Sequence, residues 1–268
     1  MNEAPIGIFD SGLGGLSVWK EAVRLLPGES IVYYADSGNC PYGPRPEEEI
    51  IHLSEEIVKF LLKKNCKLIV IACNTATAAA VSYLREKYEV PFVGIEPALK
   101  PASLATTSGH IGVLATKGTF KGKHYLETRK RHAWYVDVHI QVGDGLVEIV
   151  ENGHFDSQEA YLLLENYLKP MLDKKVDQLV LGCTHYPFLI PQIKEIVGDR
   201  MKIIDPAPAV ARQIQALLEE KELFASENQA GIYEFYTTGI LAMLQRMVKM
   251  ITDTREFNRS NFWKIGEE

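Results

Sequence analysis

Leu68 to Ala80 read LIVIACNTATAAA, a run that begins as a fully buried β-strand and ends on a cysteine followed by small polar residues. A short apolar run of this kind fits a strand covered on both faces, the habit of parallel sheets. Taken alone, Cys73 is a small hydrophobe of the type most often found buried. The pattern recurs in LVLGCTHYP, Leu179 to Pro187, which carries Cys183 110 positions after Cys73. An echo precedes each copy, since IGVLAT (Ile111 to Thr116) resembles IGIFDS (Ile6 to Ser11). Gly7 to Cys73 spans 66 residues and Gly112 to Cys183 spans 71, so two units of similar length repeat one scheme. That period is too long for a solenoid and points to two like domains facing each other.

Within the first half, IGIFD (Ile6 to Asp10) leads to a helical face of Trp19, Ala22, Val23 and Leu26 that stops at Pro27-Gly28. IVYYAD (Ile31 to Asp36) follows, then a Gly/Pro-rich turn from Ser37 to Pro46. Next comes an amphipathic helix with Ile50, Leu53, Ile57, Phe60 and Leu61 on one face. Glu47 to Glu49 open it and Lys63 and Lys64 close it, which complements the helix dipole. Alternating strands and helices imply parallel pairing, so the expected fold is α/β, two similar doubly wound domains with the site in the cleft between them. Ligands gather at the carboxyl ends of such strands, where Asp10, Asp36 and Cys73 all fall. A boundary is expected near EPALKPAS, Glu96 to Ser103, and the segment after Asp205 is expected to return to the first domain. That segment holds a helical stretch from Ala209 to Lys221, YEFYTTG, and a last helix over Leu241 to Thr252. The expected division is therefore 1–97 plus 208–268 for one domain and 98–207 for the other.

With 46% hydrophobic and 24% charged residues, the 268-residue chain has the composition of a soluble globular protein. A net charge of −6 argues against nucleic acid as a partner. The one basic stretch, KGKHYLETRKRH from Lys121 to His132, is interrupted by Glu127 and reads as a solvated helix face. MNEAPIGIFDSG has no export signal, and no apolar run approaches the roughly 20 residues a bilayer span needs, so a cytoplasmic protein without membrane contact is expected. Cysteines 40, 66, 73 and 183 form no CxxC, which excludes a zinc knuckle or dithiol motif and leaves free thiols.

A thiol with an ordinary pKa near 8.5 needs a charged or hydrogen-bonding neighbour before it works as a base at neutral pH. His185, two residues beyond Cys183, is one candidate. DSGLGG, Asp10 to Gly15, fails the dinucleotide fingerprint because Ser17 stands where its last glycine belongs. Its glycines fit a tight turn, but Asp10 and Ser11 would then face the crevice that holds Cys73. A phosphatase loop would place Arg six residues after its cysteine, where Ala79 and Leu189 stand. A cysteine hydrolase needs one thiol, and a disulfide oxidoreductase needs its thiols close in sequence. Two thiols in facing half-sites suit a reaction that treats both faces of one carbon alike: one thiolate takes a proton while the opposite thiol gives one. That is racemisation with no cofactor and no metal.

DSGLGGLSV (10 to 18), DSGNCPYGPR (36 to 45), ACNTATA (72 to 78), GIEPA (94 to 98), ATKGT (115 to 119), LVEIVENG (146 to 153), LGCTHYP (181 to 187), IDPA (204 to 207) and FYTTG (235 to 239) together resemble the motifs of bacterial glutamate racemases, within the aspartate/glutamate racemase family. The resemblance runs over nearly the whole chain, in order. It implies that Cys73 takes the α-proton of D-glutamate and Cys183 that of L-glutamate. Asp10 would assist Cys73, while His185 and Glu151 would assist Cys183. Ser11, Pro41, Tyr42, Gly43, Asn74, Thr75, Thr116, Thr119 and Thr184 would hold the carboxylates and ammonium of the glutamate substrate. Homodimers and delivery of D-glutamate to peptidoglycan are implied as well. Glu151 rests on the resemblance alone, being otherwise an unremarkable Glu before Asn152-Gly153. Gly38-Asn39 departs from the Ala-Arg more usual in the family, and Cys40 reads as a packing residue because the other half has no counterpart. A racemase for aspartate, or a noncatalytic binding protein on the same scaffold, would share most of these features.

Overall fold

The computed structural model describes residues 2–226 and 230–266, with the side chains of Lys123 and His124 outside that set. Met1, 227–229 and 267–268, all assigned above to the first domain, therefore lie outside the described residues, as do two side chains of the basic stretch. Ten strands are found among the described residues: β1 (Ile6–Asp10), β2 (Ile31–Ala35), β3 (Leu68–Ile71), β4 (Phe92–Gly94), β5 (His110–Ala115), β6 (Asp137–Val142), β7 (Gln178–Gly182), β8 (Lys202–Ile204), β9 (Tyr233–Thr237) and β10 (Ser260–Lys264). They form two sheets, ordered β10-β9-β2-β1-β3-β4 and β6-β5-β7-β8, with every neighbouring pair parallel. The α/β expectation holds. The strands β4, β6, β8 and β10 go beyond those read from the sequence; β4 and β8, at three residues each, carry little periodicity.

Alternate residues of the first sheet serve opposite layers, as a pleat requires. Ile6, Ile8, Ile31, Tyr33, Leu68 and Val70 join one cluster, while Phe9, Val32, Tyr34, Ile69 and Ile71 join another on the far face. The first of these clusters continues through Leu179 and Leu181 of the second sheet, and Ile111, Val113 and Val180 face a third. One apolar layer therefore runs from sheet to sheet, and the two cannot be pulled apart without exposing it.

Strand order β2-β1-β3-β4 matches β6-β5-β7-β8 position for position. The registers match too: Gly7 pairs with Ile69 and Gly112 with Leu179, so Cys73 and Cys183 each lie four residues past the partner of the repeated glycine. A Cβ on Gly7 would meet Cys66 Sγ and Leu61 at 3.1 Å, and one on Gly112 would meet Met171 Sδ at 2.8 Å. Leu61 and Met171 belong to the helices Glu47–Lys63 and Gln158–Asp173, which lie close on their strands in both halves. The basic stretch forms the helix Lys123–His132, largely exposed at its described positions apart from buried Tyr125. No helix among the described residues is long and apolar enough to cross a membrane.

Candidate active site

Cys73 follows the last residues of β3 and caps the helix Asn74–Lys87, its sulfur accepting a hydrogen bond from Ala76 N at 3.4 Å. The strand explains the rigidity of the thiol, and the helix start explains the chain's turn away from the sheet. Its other contact is Ser11 Oγ at 3.6 Å. Asp10, fully buried at the end of β1, accepts from Gly15 N at 2.7 Å and from Ser11 Oγ at 3.4 Å. Burial raises the Asp10 carboxyl above the usual carboxylate range, against the pull of His185. Burial, and then the charge of Asp10, push the Cys73 thiol far up, so this thiol rests protonated.

Across the cleft Cys183 follows β7, with His185 Nδ1 at 3.7 Å from its sulfur. No long helix starts here; a tight 3-10 turn over Tyr186–Leu189 comes before the helix Ile190–Val197, and His185 sits at its start. The opposite ring nitrogen, Nε2, lies 2.6 Å from Glu151 Oε1. Burial alone would lower the His185 imidazole, but its bonds to Cys183, Cys40 and Glu151 outweigh that and hold it well above the ordinary range. Glu151 ends the helix Leu146–Glu151 and is fixed from the first unit: Leu13 N donates to Oε1 at 2.5 Å and Ser37 Oγ to Oε2 at 2.9 Å. Thr184 Oγ1 closes the circuit, donating to Asp10 Oδ1 at 3.5 Å, while Ser17 Oγ donates to the Thr184 carbonyl at 3.1 Å.

Asp10, Ser11, Cys73, Thr184, Cys183, His185 and Glu151 thus form one connected group. Asn74 is buried beside Cys73, and its Oδ1 has no hydrogen-bond partner among the described residues. Thr75 Oγ1 meets Thr116 Oγ1 at 2.9 Å, and Thr116 in turn lies 3.0 Å from Thr119 Oγ1, a ladder of hydroxyls bridging the two units. Thr119 Oγ1 also reaches the Gly182 carbonyl at 3.4 Å. Of the loop residues Pro41, Tyr42 and Gly43, Gly43 lies against this ladder, where a Cβ would approach Thr116 to 3.3 Å, while Tyr42 is buried. The Tyr42 hydroxyl is committed to Asp36 Oδ2 at 2.6 Å, so Asp36 is an anchor of the loop, also accepting from Asn39 Nδ2 and Thr238 Oγ1. At Gly38 a Cβ would meet the Thr238 carbonyl at 2.9 Å, so the loop lies close on that segment.

Two features escaped the sequence. The glycines of DSGLGG are not demanded by backbone conformation, since none lies in the left-handed region. They are demanded by closeness: a Cβ on Gly12 would strike the Glu151 carboxylate, one on Gly14 the His185 ring, and one on Gly15 the Asp10 Cβ at 2.7 Å. Cys40 is the other. It packs against the core as expected, yet its thiol also reaches His185, and burial pushes it up to about 11. The contacts of Gly12, Gly14 and Cys40 were not legible because their partners, Glu151 and His185, lie more than a hundred residues away in the chain.

Residues 6–214 match the family model described as Asp/Glu/Hydantoin racemase. A glutamate racemase of Herpetosiphon aurantiacus is 46% identical over 239 residues, 89% of this chain and 94% of the relative. A glutamate racemase isoform of Bacillus anthracis superposes with a TM-score of 0.85 at 36% identity, covering 93% of this chain and 94% of that one. The glutamate racemase of Francisella tularensis, solved in complex with D-glutamate, gives 0.82 at 28% identity with 98% of both chains covered. Paired thiols on a duplicated parallel frame, matched over most of the chain by sequence and by structure, have one common source: the chain belongs to the Asp/Glu/hydantoin racemase family.

Proposed function

We propose that the protein interconverts L- and D-glutamate by proton transfer at Cα between Cys73 and Cys183. The observation that carries this reading is the pair of thiols at the same register position of two sheets, joined by the Thr184 to Asp10 hydrogen bond. From L-glutamate, the Cys183 thiolate removes the α-proton and the Cys73 thiol supplies one to the opposite face. The enzyme is then left with a Cys183 thiol and a Cys73 thiolate, the form that takes D-glutamate back. Glu151 orients His185 and His185 stabilises charge at Cys183; at Cys73 the Asp10 carboxyl favours the protonated thiol that donates, and Ser11 Oγ accepts from its sulfur at 3.6 Å. Asn74 Oδ1 is an acceptor for the substrate ammonium, and the hydroxyls of Thr75, Thr116, Thr119 and Thr184, with the backbone of Pro41, Tyr42 and Gly43, are donors and walls for its carboxylates.

The same reading carries the wider assignments: a domain of 1–97 plus 208–268 around the first sheet, a domain of 98–207 around the second, cytoplasmic supply of D-glutamate to peptidoglycan, and a homodimer. Exposed Trp134, edge-on to exposed Tyr135, gives a second copy an apolar surface to cover. The test is exchange in deuterated water. Purified protein with no added pyridoxal phosphate or metal should exchange the α-proton of both glutamate enantiomers, faster than those of aspartate; loss of optical rotation should accompany it. Absence of exchange on either amino acid would overturn the reading, and a preference for aspartate would correct the substrate.

A further inference from the structure

We propose that Cys40, His185 and Glu151 form a binding site for a thiophilic divalent cation of the zinc type, and that its occupation stops racemisation. One ligand atom from each of the three lies within 4.8 Å of the others. Sulfur, imidazole nitrogen and carboxylate oxygen are the donors zinc favours, at metal distances of about 2.0 to 2.3 Å, with a fourth position left for water or a further ligand. Ligand atoms around one tetrahedral ion stand roughly 3 to 4 Å apart, so the cluster needs only small side-chain shifts.

The ligands are held in place by their neighbours. Leu13 N and Ser37 Oγ fix the two oxygens of Glu151. The Cys40 loop is pinned on either side, since Arg45 Nε donates to the Asn39 carbonyl at 2.8 Å and the Tyr42 hydroxyl to Asp36. Such supporting hydrogen bonds are what give metal ligands their orientation. Coordination displaces the Cys40 thiol proton and the proton between His185 and Glu151 to solvent. An ion there replaces the contact by which Glu151 orients the ring that serves Cys183. Cys40 touches no reacting atom in the proposed proton transfer, and His185 keeps its contacts with Cys183 and Glu151 without it, which makes it the residue that separates the two activities. The binding stands on geometry alone, whereas its inhibitory effect rests on the proposed function.

Cobalt titration of the reduced enzyme, read by the thiolate-to-cobalt charge-transfer absorption, tests the site directly. Wild type and Cys73→Ala should each bind one cobalt ion per chain with that absorption. Cys40→Ala and Cys40→Ser should bind at least about tenfold more weakly and lose the absorption. In turnover assays zinc should inhibit wild type reversibly, with activity restored by EDTA. Both Cys40 variants should racemise within about twofold of wild type, which shows that they fold, and should require at least about tenfold more zinc for the same inhibition. Unchanged zinc sensitivity in the Cys40 variants would place the metal on the paired thiols and overturn the proposal, as would wild type that binds no cobalt. Cobalt bound by a protein that racemises nothing would leave the metal site standing and overturn the function instead.

Discussion

Counted from the strand pairing, Ala115 stands in the second half where the first has Asp10, Thr116 where it has Ser11, Thr184 where it has Asn74, and His185 where it has Thr75. The thiols coincide and their partners do not. Next to Cys73 is a buried carboxyl group delivered by the neighbouring strand; next to Cys183 is an imidazole backed by Glu151, which comes from outside the repeated strand motifs. The carboxyl beside Cys73 opposes negative charge on its thiol, whereas the Cys183 sulfur faces an imidazole. The two halves thus share a frame, and divergence at four positions gives their thiols different partners. The floors of the sheets diverge as well. Lys67 and Asp177 sit at the same position, one residue before β3 and β7. Lys67 pairs with Glu29 at 2.7 Å with both side chains buried, while Asp177 accepts from Thr106 Oγ1, Thr107 N and Ser108 N.

The sharpest break of this comparison removes one thiol at a time. Cys73→Ala and Cys183→Ala should each cut racemisation by about 10² to 10⁴-fold, the range for loss of a general acid or base; substantial turnover in either one would mean the halves do not depend on each other. At the floor, Lys67→Met should cost about 3 to 5 kcal/mol in denaturant unfolding, because Glu29 is left buried without its cation, while kcat stays near wild type. Gly14→Ala displaces the His185 ring and should lower kcat about 10²-fold, the effect of an ångström-scale misplacement. Melting temperatures would show whether folding is spared, and only the Cys183 side should feel the change. The smallest effect is expected at Asp177→Asn, about 1 to 2 kcal/mol. Hydrogen bonds from the 106–108 loop overcome partial burial and lower the Asp177 carboxyl to about 2. Its unfolded value is near 3.9, so its contribution is full above roughly pH 4 and disappears as pH falls through 2. Melting curves of wild type and Asp177→Asn should therefore converge between those pH values.

The frame and the thiols were legible in sequence because they are local. LIVIACNT and LVLGCTH each state a buried strand and its end within eight residues, and the repeated glycine marks where a helix presses on the sheet. His185 came with its cysteine for the same reason. Glu151 depends on contacts with Leu13, Ser37 and His185, from three separate segments, and no local pattern encodes that meeting. Cys40 was half legible: packing was visible, proximity to His185 was not.

The anchoring of Glu151 on Leu13 and Ser37 has a consequence for timing. Any widening of the cleft that admits an amino acid also draws Glu151 away from two of the groups that hold it, and Thr184 away from Asp10. The Cys183 base is thereby unsupported while the doorway stands ajar and complete once it shuts. Closing over the substrate and arming the thiol would then be one event, sparing a reactive sulfur from whatever else enters.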